Sequence, residues 1–381
     1  MRLFTTAIKE LALSHGFHLA RVTTAEPFAG LEPVLNERIA AGHLDGLEWF
    51  TPERAHVASA PQRLLPWARS LLVLGVSYYA EAPPLPDDGV PRGRIARYAW
   101  GGDYHDLLRA MMRGLIADIE RLVGRPLMAG TLVDTARIVD RAAAARAGLG
   151  WYGKNTCIIA TRDTGSYLFL AEVPLDLDLE PDAPLRKSCG SCAACMVACP
   201  THAIPAAYVL DTPRCISYLT IEHRGMFPVE LRPKIGNWVF GCDICQEVCP
   251  PNRHALPLAP PALQPRDVED AYPALVPLLT MSVAEYRDRF RGRAIKRAKR
   301  DGLARNAAVA LGNGGDRAAV PALIDALRTH DVPLVRSHAA WALGHLGGEA
   351  ARAALDRCRA TEIDAAVRAE IMMALSGSGD V

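Results

Sequence analysis

Leu3, Ala7 and Leu11, with Phe4 and Ile8 beside them, recur at helical spacing, and Gly16 ends the run. A short strand is predicted over residues 17–22. No clear period marks residues 44–65, so no element is assigned there. Residues 71–79 are almost wholly apolar and read as a buried strand. A proline-rich loop covers 83–91. Asp103 then stands where an N-cap is needed for a helix over Tyr104–Val123, with Leu107, Leu108, Met111, Leu115, Ile119 and Leu122 as its apolar face. A turn around Asp134 leads to an alanine-rich helix ending at Gly148. Strands over 155–160 and 166–173 follow, joined as a hairpin at Asp163-Thr164-Gly165. Gly148, Gly150 and Gly153 call for tight turns, or for backbone lying against a ligand. Near the C-terminus Leu311, Leu343 and Leu375 stand 32 residues apart inside similar helical stretches. That interval is a short HEAT-type repeat, in which neighbouring helix pairs bury one another's apolar faces.

Composition changes this picture little. A chain of 381 residues has room for several cores, and its net charge of +1 makes any nucleic-acid surface a local feature. The first residues, MRLFTTAIKELALSHG, are amphipathic and do not form a signal-peptide block. No apolar run approaches the ~20 residues of a membrane span. A cytoplasmic protein that does not engage the membrane is expected.

The cysteines change the picture most. Cys189-x2-Cys192-x2-Cys195-x3-Cys199-Pro200 is the bacterial ferredoxin pattern, and Cys242-x2-Cys245-x3-Cys249-Pro250 repeats it with one member missing. Val239 occupies the missing place, and Cys215 is the natural substitute. Two 4Fe–4S clusters are expected, one on Cys189, Cys192, Cys195 and Cys249, the other on Cys199, Cys215, Cys242 and Cys245. Zinc ribbons use paired C-x2-C knuckles, and disulfides need an oxidising compartment, so both alternatives fit less well. Cys157 and Cys358 read as small buried hydrophobes. His105 and Tyr98 are open to chemistry, but a helix-start histidine and a packing aromatic are the better explanations of each.

VDTARIVDRAAAARAGLGWYGKNTCII, the cysteine run, CISYLTIEHRG and LRPKIGNWVFGCDICQEVCPPN together resemble the epoxyqueuosine reductase family. The resemblance spans nearly the whole chain. It implies an α+β multidomain protein: a nitroreductase-like α/β domain binding cobalamin (1–180), a ferredoxin-like di-cluster module (181–260) and an all-α HEAT-like repeat domain after a basic linker (261–381). It implies reduction of epoxyqueuosine to queuosine at the tRNA wobble position, with a low-potential donor feeding the clusters and the enzyme acting as a monomer. By the same resemblance Asp134 is the proton donor, and Arg54, Tyr98, Asp134, Lys154 and Ser217 contact the corrinoid. His202 stands where the family usually has Gly.

A dense basic run precedes the repeats, from Arg287 through Lys296, Arg297, Lys299 and Arg300, against a single acid, Asp288. In a chain otherwise near neutrality, it points to phosphate contacts with tRNA, to which His223 and Arg224 would add. A corrinoid dehalogenase would need neither this run nor the repeats, and a ferredoxin on a helical scaffold would leave the N-terminal domain unexplained.

Overall fold

The computed structural model describes residues 2–161 and 163–377. It forms two compact units, each drawn from three stretches of chain: 1–81, 101–213 and 244–264 in the first, and 82–100, 214–243 and 265–381 in the second. These units cut across the division at residues 180 and 260 read from the sequence, because segments from mid-chain complete both.

The first unit is built on an antiparallel sheet of three strands, Leu19–Thr24, Ser70–Ser77 and Leu168–Leu175, with Ser70–Ser77 in the middle. Every residue of the central strand is buried, as its apolar run requires. The Tyr104–Val123 helix forms as expected. Asp103 caps it by accepting from the His105 backbone N–H, and Gly124 closes it at φ 75°. Its buried face is Tyr104, Leu108, Met112, Leu115 and Ile119, so the apolar stripe is rotated from the expected one and Leu122 is exposed. Each such aliphatic side chain contributes ~1.5–3 kcal/mol by leaving water, and Leu108→Ala would cost ~2–5 kcal/mol. The first helix, Arg2–Ser14, buries Thr5, Ile8 and Ala12, while Leu3 is 90% exposed.

The alanine-rich helix is short, Asp140–Arg146. Ala142, Ala143 and Ala144 let its backbone settle onto Leu71 and Val73 of the central strand. The expected hairpin over 155–173 is not the pairing observed. Ile158–Ile159 pairs with Trp151–Tyr152, and Leu168–Leu175 pairs with the central strand. The glycines explain the difference. A Cβ on Gly150 would lie 2.6 Å from the Ile159 carbonyl oxygen, so only glycine allows the chain to fold back there. The close neighbour of these glycines is the chain itself. Cys157 lies outside the short strand and is half-buried, not a core residue.

In the second unit Arg94–Ile95 pairs in parallel with Trp238–Phe240. Val239 is fully buried in that strand, which explains why the position serves the core instead of carrying a thiol. The C-terminal helices Lys299–Asn313, Val320–Thr329, Pro333–Leu346, Glu349–Thr361 and Ala365–Gly377 form the repeat array. Its period is visible in the packing. A Cβ on Gly312 would come 3.0 Å from Ala342 Cβ, and one on Gly344 would come 2.7 Å from Ala374 Cβ. The same small-residue contact thus recurs one repeat later. Arg232 and Glu370 form a buried bidentate pair at 2.6 and 3.1 Å, with both carboxylate oxygens used. Cys358 is buried in the array, as expected.

Candidate active site

An open pocket of 370 Å³ in the first unit is lined by Trp49, Phe50, Arg54, Tyr104, Asp134, Asp140 and Phe169, among others. Asp134 reaches it from a loop. The preceding residue but one, Leu132, exchanges backbone hydrogen bonds with Glu172 at 2.9 and 3.0 Å, which anchors the loop to the sheet edge. Asp134 itself adopts φ 47°, a left-handed conformation that Asp and Asn tolerate better than most residues.

The Tyr104 hydroxyl donates to Asp134 Oδ2 at 2.6 Å, and His105 Nε2 lies 3.6 Å from the same oxygen. Stacking fixes the Tyr104 ring between His105 and Phe169, both at 4.1 Å. His105 Nδ1 is 2.9 Å from Asp103 Oδ1. Burial alone would lower the His105 pKa. Hydrogen bonds to Asp103 and Asp134 and their charges outweigh it and push the group up to about 9. At neutral pH the imidazole is therefore protonated beside Asp134. The apolar surroundings expected for Asp134 are present only behind it, in buried Val133 and Ile138. Its own side chain is 61% exposed.

Tyr104 and the Asp140–Glu172 pair were not singled out by sequence. Tyr104 directly follows the capping Asp103, and Glu172 is a lone charge in the apolar strand LFLAEVPL; these were the available signals. Arg54 sits in the helix Pro52–Ala58, capped by Thr51. Its Nη2 donates to the Ala136 carbonyl at 3.0 Å, and its guanidinium lies over Trp49. Lys154 is directed to the cysteine loop, with Nζ 2.8 Å from both the Gly190 and Cys192 carbonyls. Tyr98 and Ser217 belong to the second unit. There Tyr98 packs near Phe240, and Ser217 lies in the helix Ile216–Ile221.

Six cysteines of the pattern fall in the first unit, and Cys215 and Cys242 in the second. The Cys249 thiol is pushed up to about 11 by burial and then by the charges of Cys189, Cys195 and Cys192. Among the described residues no three metal-binding side chains gather closely enough to hold one ion. A cubane asks for a looser set, one thiolate per iron, and this donor chemistry suits it. His202 beside Cys199 has φ 52°, a left-handed conformation that glycine adopts more readily than a residue with a side chain.

The basic run divides in two. Arg293 is buried against Asp270 and the Trp100 carbonyl, Arg289 pairs with Glu269, and Arg300 chelates Asp331 at 2.6 and 2.7 Å. Arg297 pairs with Glu222 at 2.6 Å while remaining exposed. Arg287, Arg291, Lys296 and Lys299 are exposed. Arg224 joins this region, donating to the Ala298 and Arg297 carbonyls, whereas His223 is turned to the Met226 carbonyl at 2.9 Å.

Three family models match the chain: "4Fe-4S double cluster binding domain" over 188–252, "Epoxyqueuosine reductase QueG, DUF1730" over 59–135, and "HEAT repeats" over 293–376. An epoxyqueuosine reductase of Bacillus subtilis is 36% identical over 364 residues, covering 95% of this chain and 92% of the relative. One from Xanthomonas campestris is 39% identical over 343 residues, covering 89% and 95%. The chain belongs to the epoxyqueuosine reductase family.

Solved structures agree with the assignment. An epoxyqueuosine reductase crystallised with an epoxyqueuosine-modified tRNA-Tyr stem loop matches at TM-score 0.91 and 34% identity, over 98% of both chains. A Bacillus subtilis epoxyqueuosine reductase, described with its catalytic loop swung out of the active site, matches at 0.89 and 35%, again over 98% of both. This member of the epoxyqueuosine reductase family is thus an oxidoreductase with a double-cluster domain and HEAT repeats. No described helix is long and apolar enough to cross a membrane.

Proposed function

We propose that this chain removes the epoxide oxygen of epoxyqueuosine in tRNA to give queuosine, with cobalamin held at the Asp134 pocket. The observation that carries the reading is the Asp134–Tyr104–His105 cluster at the mouth of that pocket, in a chain of this family. Loss of the oxygen as water consumes two electrons and two protons and leaves a carbon–carbon double bond. Asp134 faces the pocket and would pass the proton to the departing oxygen. Tyr104 holds the carboxyl in place, and protonated His105 helps fix its orientation.

A corrin cobalt supplies, when bound, the strongly reducing nucleophilic centre that side chains lack. The pocket wall suits such a group. Trp49, Phe50 and Leu168 offer apolar surface, and the buried Arg54 Nε has no hydrogen-bond partner among the described residues. Arg54, Tyr98, Lys154 and Ser217 would hold it. Lys154, tied to the Gly190–Cys192 loop, would also fix that loop relative to the pocket wall.

The sheet with the Tyr104–Val123 helix supports reading the α/β part as nitroreductase-like. The ligand sets are Cys189, Cys192, Cys195 and Cys249 for one cluster, and Cys199, Cys215, Cys242 and Cys245 for the other. The tRNA would meet the exposed members of the basic run, with His223 and Arg224 supporting that surface. The enzyme would work as a cytoplasmic monomer on electrons from an external low-potential donor.

The test is anaerobic incubation of the reconstituted protein with epoxyqueuosine-containing tRNA and a low-potential reductant. Queuosine should appear in the digested tRNA. Protein loaded with both iron and corrin that forms none would refute the reading.

A further inference from the structure

Behind the pocket lie two carboxyl groups that the mechanism above does not use. Asp140 opens the alanine-rich helix and lines the same pocket as Asp134. Glu172 is fully buried on the strand Leu168–Leu175, on the face shared with Leu168 and Leu170 of the pocket wall. Asp140 Oδ1 and both Glu172 carboxyl oxygens are buried and accept no hydrogen bond from any donor among the described residues. Two such carboxylates cannot both be ionised side by side in a dry site, because each charge costs several kcal/mol without a partner. A proton between them resolves this, with one carboxyl donating to the other. Burial, above all, pushes both groups up; Asp134 adds to this at Asp140, and the Asp140 charge adds to it at Glu172.

The charged and titratable surroundings are few. Arg141 lowers Asp140, but its Nη1 is committed to the Thr156 carbonyl at 2.9 Å. Tyr152 and Arg54 also feel the Asp140 charge, and Asp134 faces it across the pocket. None supplies a hydrogen bond to the orphaned oxygens.

We propose that Asp140 and Glu172 share one stored proton, and that this pair re-protonates Asp134 during each turnover. The inference rests on the proposed reaction, which needs two protons to release one water while Asp134 can give only one at a time. One proton comes from Asp134 directly. After it leaves, the stored proton passes from the pair to the Asp134 carboxylate, then to the oxygen, and solvent recharges the pair. No oxidant or reductant beyond the two electrons of the reaction is involved. Asp140 and Glu172 are proton-supply residues acting through Asp134.

The experiment has two arms. Infrared spectra of the full-length protein without corrin, at about pH 7, should show a protonated-carboxyl stretch that D140N/E172Q removes. In the reconstituted enzyme, Glu172→Gln keeps size and burial, and its amide can donate to Asp140. Its kcat should fall about a hundredfold, at the low end for general acid transfer. KM for tRNA should stay the same, and the alkaline fall of the pH profile should begin at lower pH. Asp140→Asn, with a thermal unfolding midpoint near that of wild type, should behave alike. An unchanged carboxyl stretch in the double variant overturns the shared proton. Wild-type kcat and pH profile in either folded single variant overturn the supply role. A wild-type enzyme that forms no queuosine would sink the proposed reaction instead, while the infrared arm would still read the shared proton.

Discussion

Replacing Asp134 with Asn removes the acidic proton and almost nothing else. The position has φ 47°, which Asn adopts as readily as Asp, so the loop incurs no backbone penalty. The Tyr104 hydroxyl can still donate to the amide oxygen in place of Oδ2. The electrostatic loss falls on His105. Asp103 and Asp134 together raise it from 6.5 to about 9 against the opposing effect of burial. That rise is worth ~3.4 kcal/mol at ~1.4 kcal/mol per pH unit. Solvent reaches part of the site, so screening reduces it to roughly half. Most of the remainder belongs to Asp103, whose oxygen is 2.9 Å from the ring against 3.6 Å for Asp134. Asp134 thus accounts for less than ~1 kcal/mol of stability.

The sign is that of a raised histidine. The contribution is complete below about pH 6.5 and is lost as pH climbs through about 9. Asp134→Asn should therefore stay folded, keep its iron and corrin, and show a His105 NMR titration midpoint below about 9. Queuosine formation should drop ~100- to 10,000-fold. Turnover within a few-fold of wild type in the folded variant would mean that the proton comes from elsewhere.

Other substitutions test the remaining assignments. Wild type should carry about eight irons, and Cys215→Ala about four, by iron analysis; full iron in the variant would return Val239's missing thiol to an open question. Neutralising the exposed Arg287, Arg291, Lys296 and Lys299 should weaken tRNA binding and flatten its salt dependence without changing thermal stability. An unaltered salt slope would make that face an ordinary solvated surface. Gly150→Ala should cost about 1–3 kcal/mol in denaturant unfolding, because the new methyl group meets the Ile159 carbonyl, and backbone cannot move aside as a side chain can.

Local features of this protein were legible because local physics makes them. The Asp103 cap and the closing glycine set the bounds of the Tyr104–Val123 helix. The unbroken apolar run announced the central strand, and the cysteine spacing announced the clusters. The 32-residue interval revealed the array, because each repeat must present small residues at the same place to the next. Tertiary packing decided the rest. It rotated the buried face of the long helix to Leu108 and Met112, since the element packed against a helix selects which of two adjacent apolar stripes is covered. It turned residues 166–173 away from their sequence neighbour to the central strand, a pairing that no local signal encodes. It also sorted the arginines of the basic run into partners of Asp270, Glu269 and Asp331 and side chains exposed at the surface, although they look alike in sequence. Above all, it brought Tyr104 and His105 to Asp134, and Glu172 to Asp140, over separations of about thirty residues in the chain. Proton chemistry depends on such meetings, and a one-dimensional pattern carries no record of which distant side chains share a dry space.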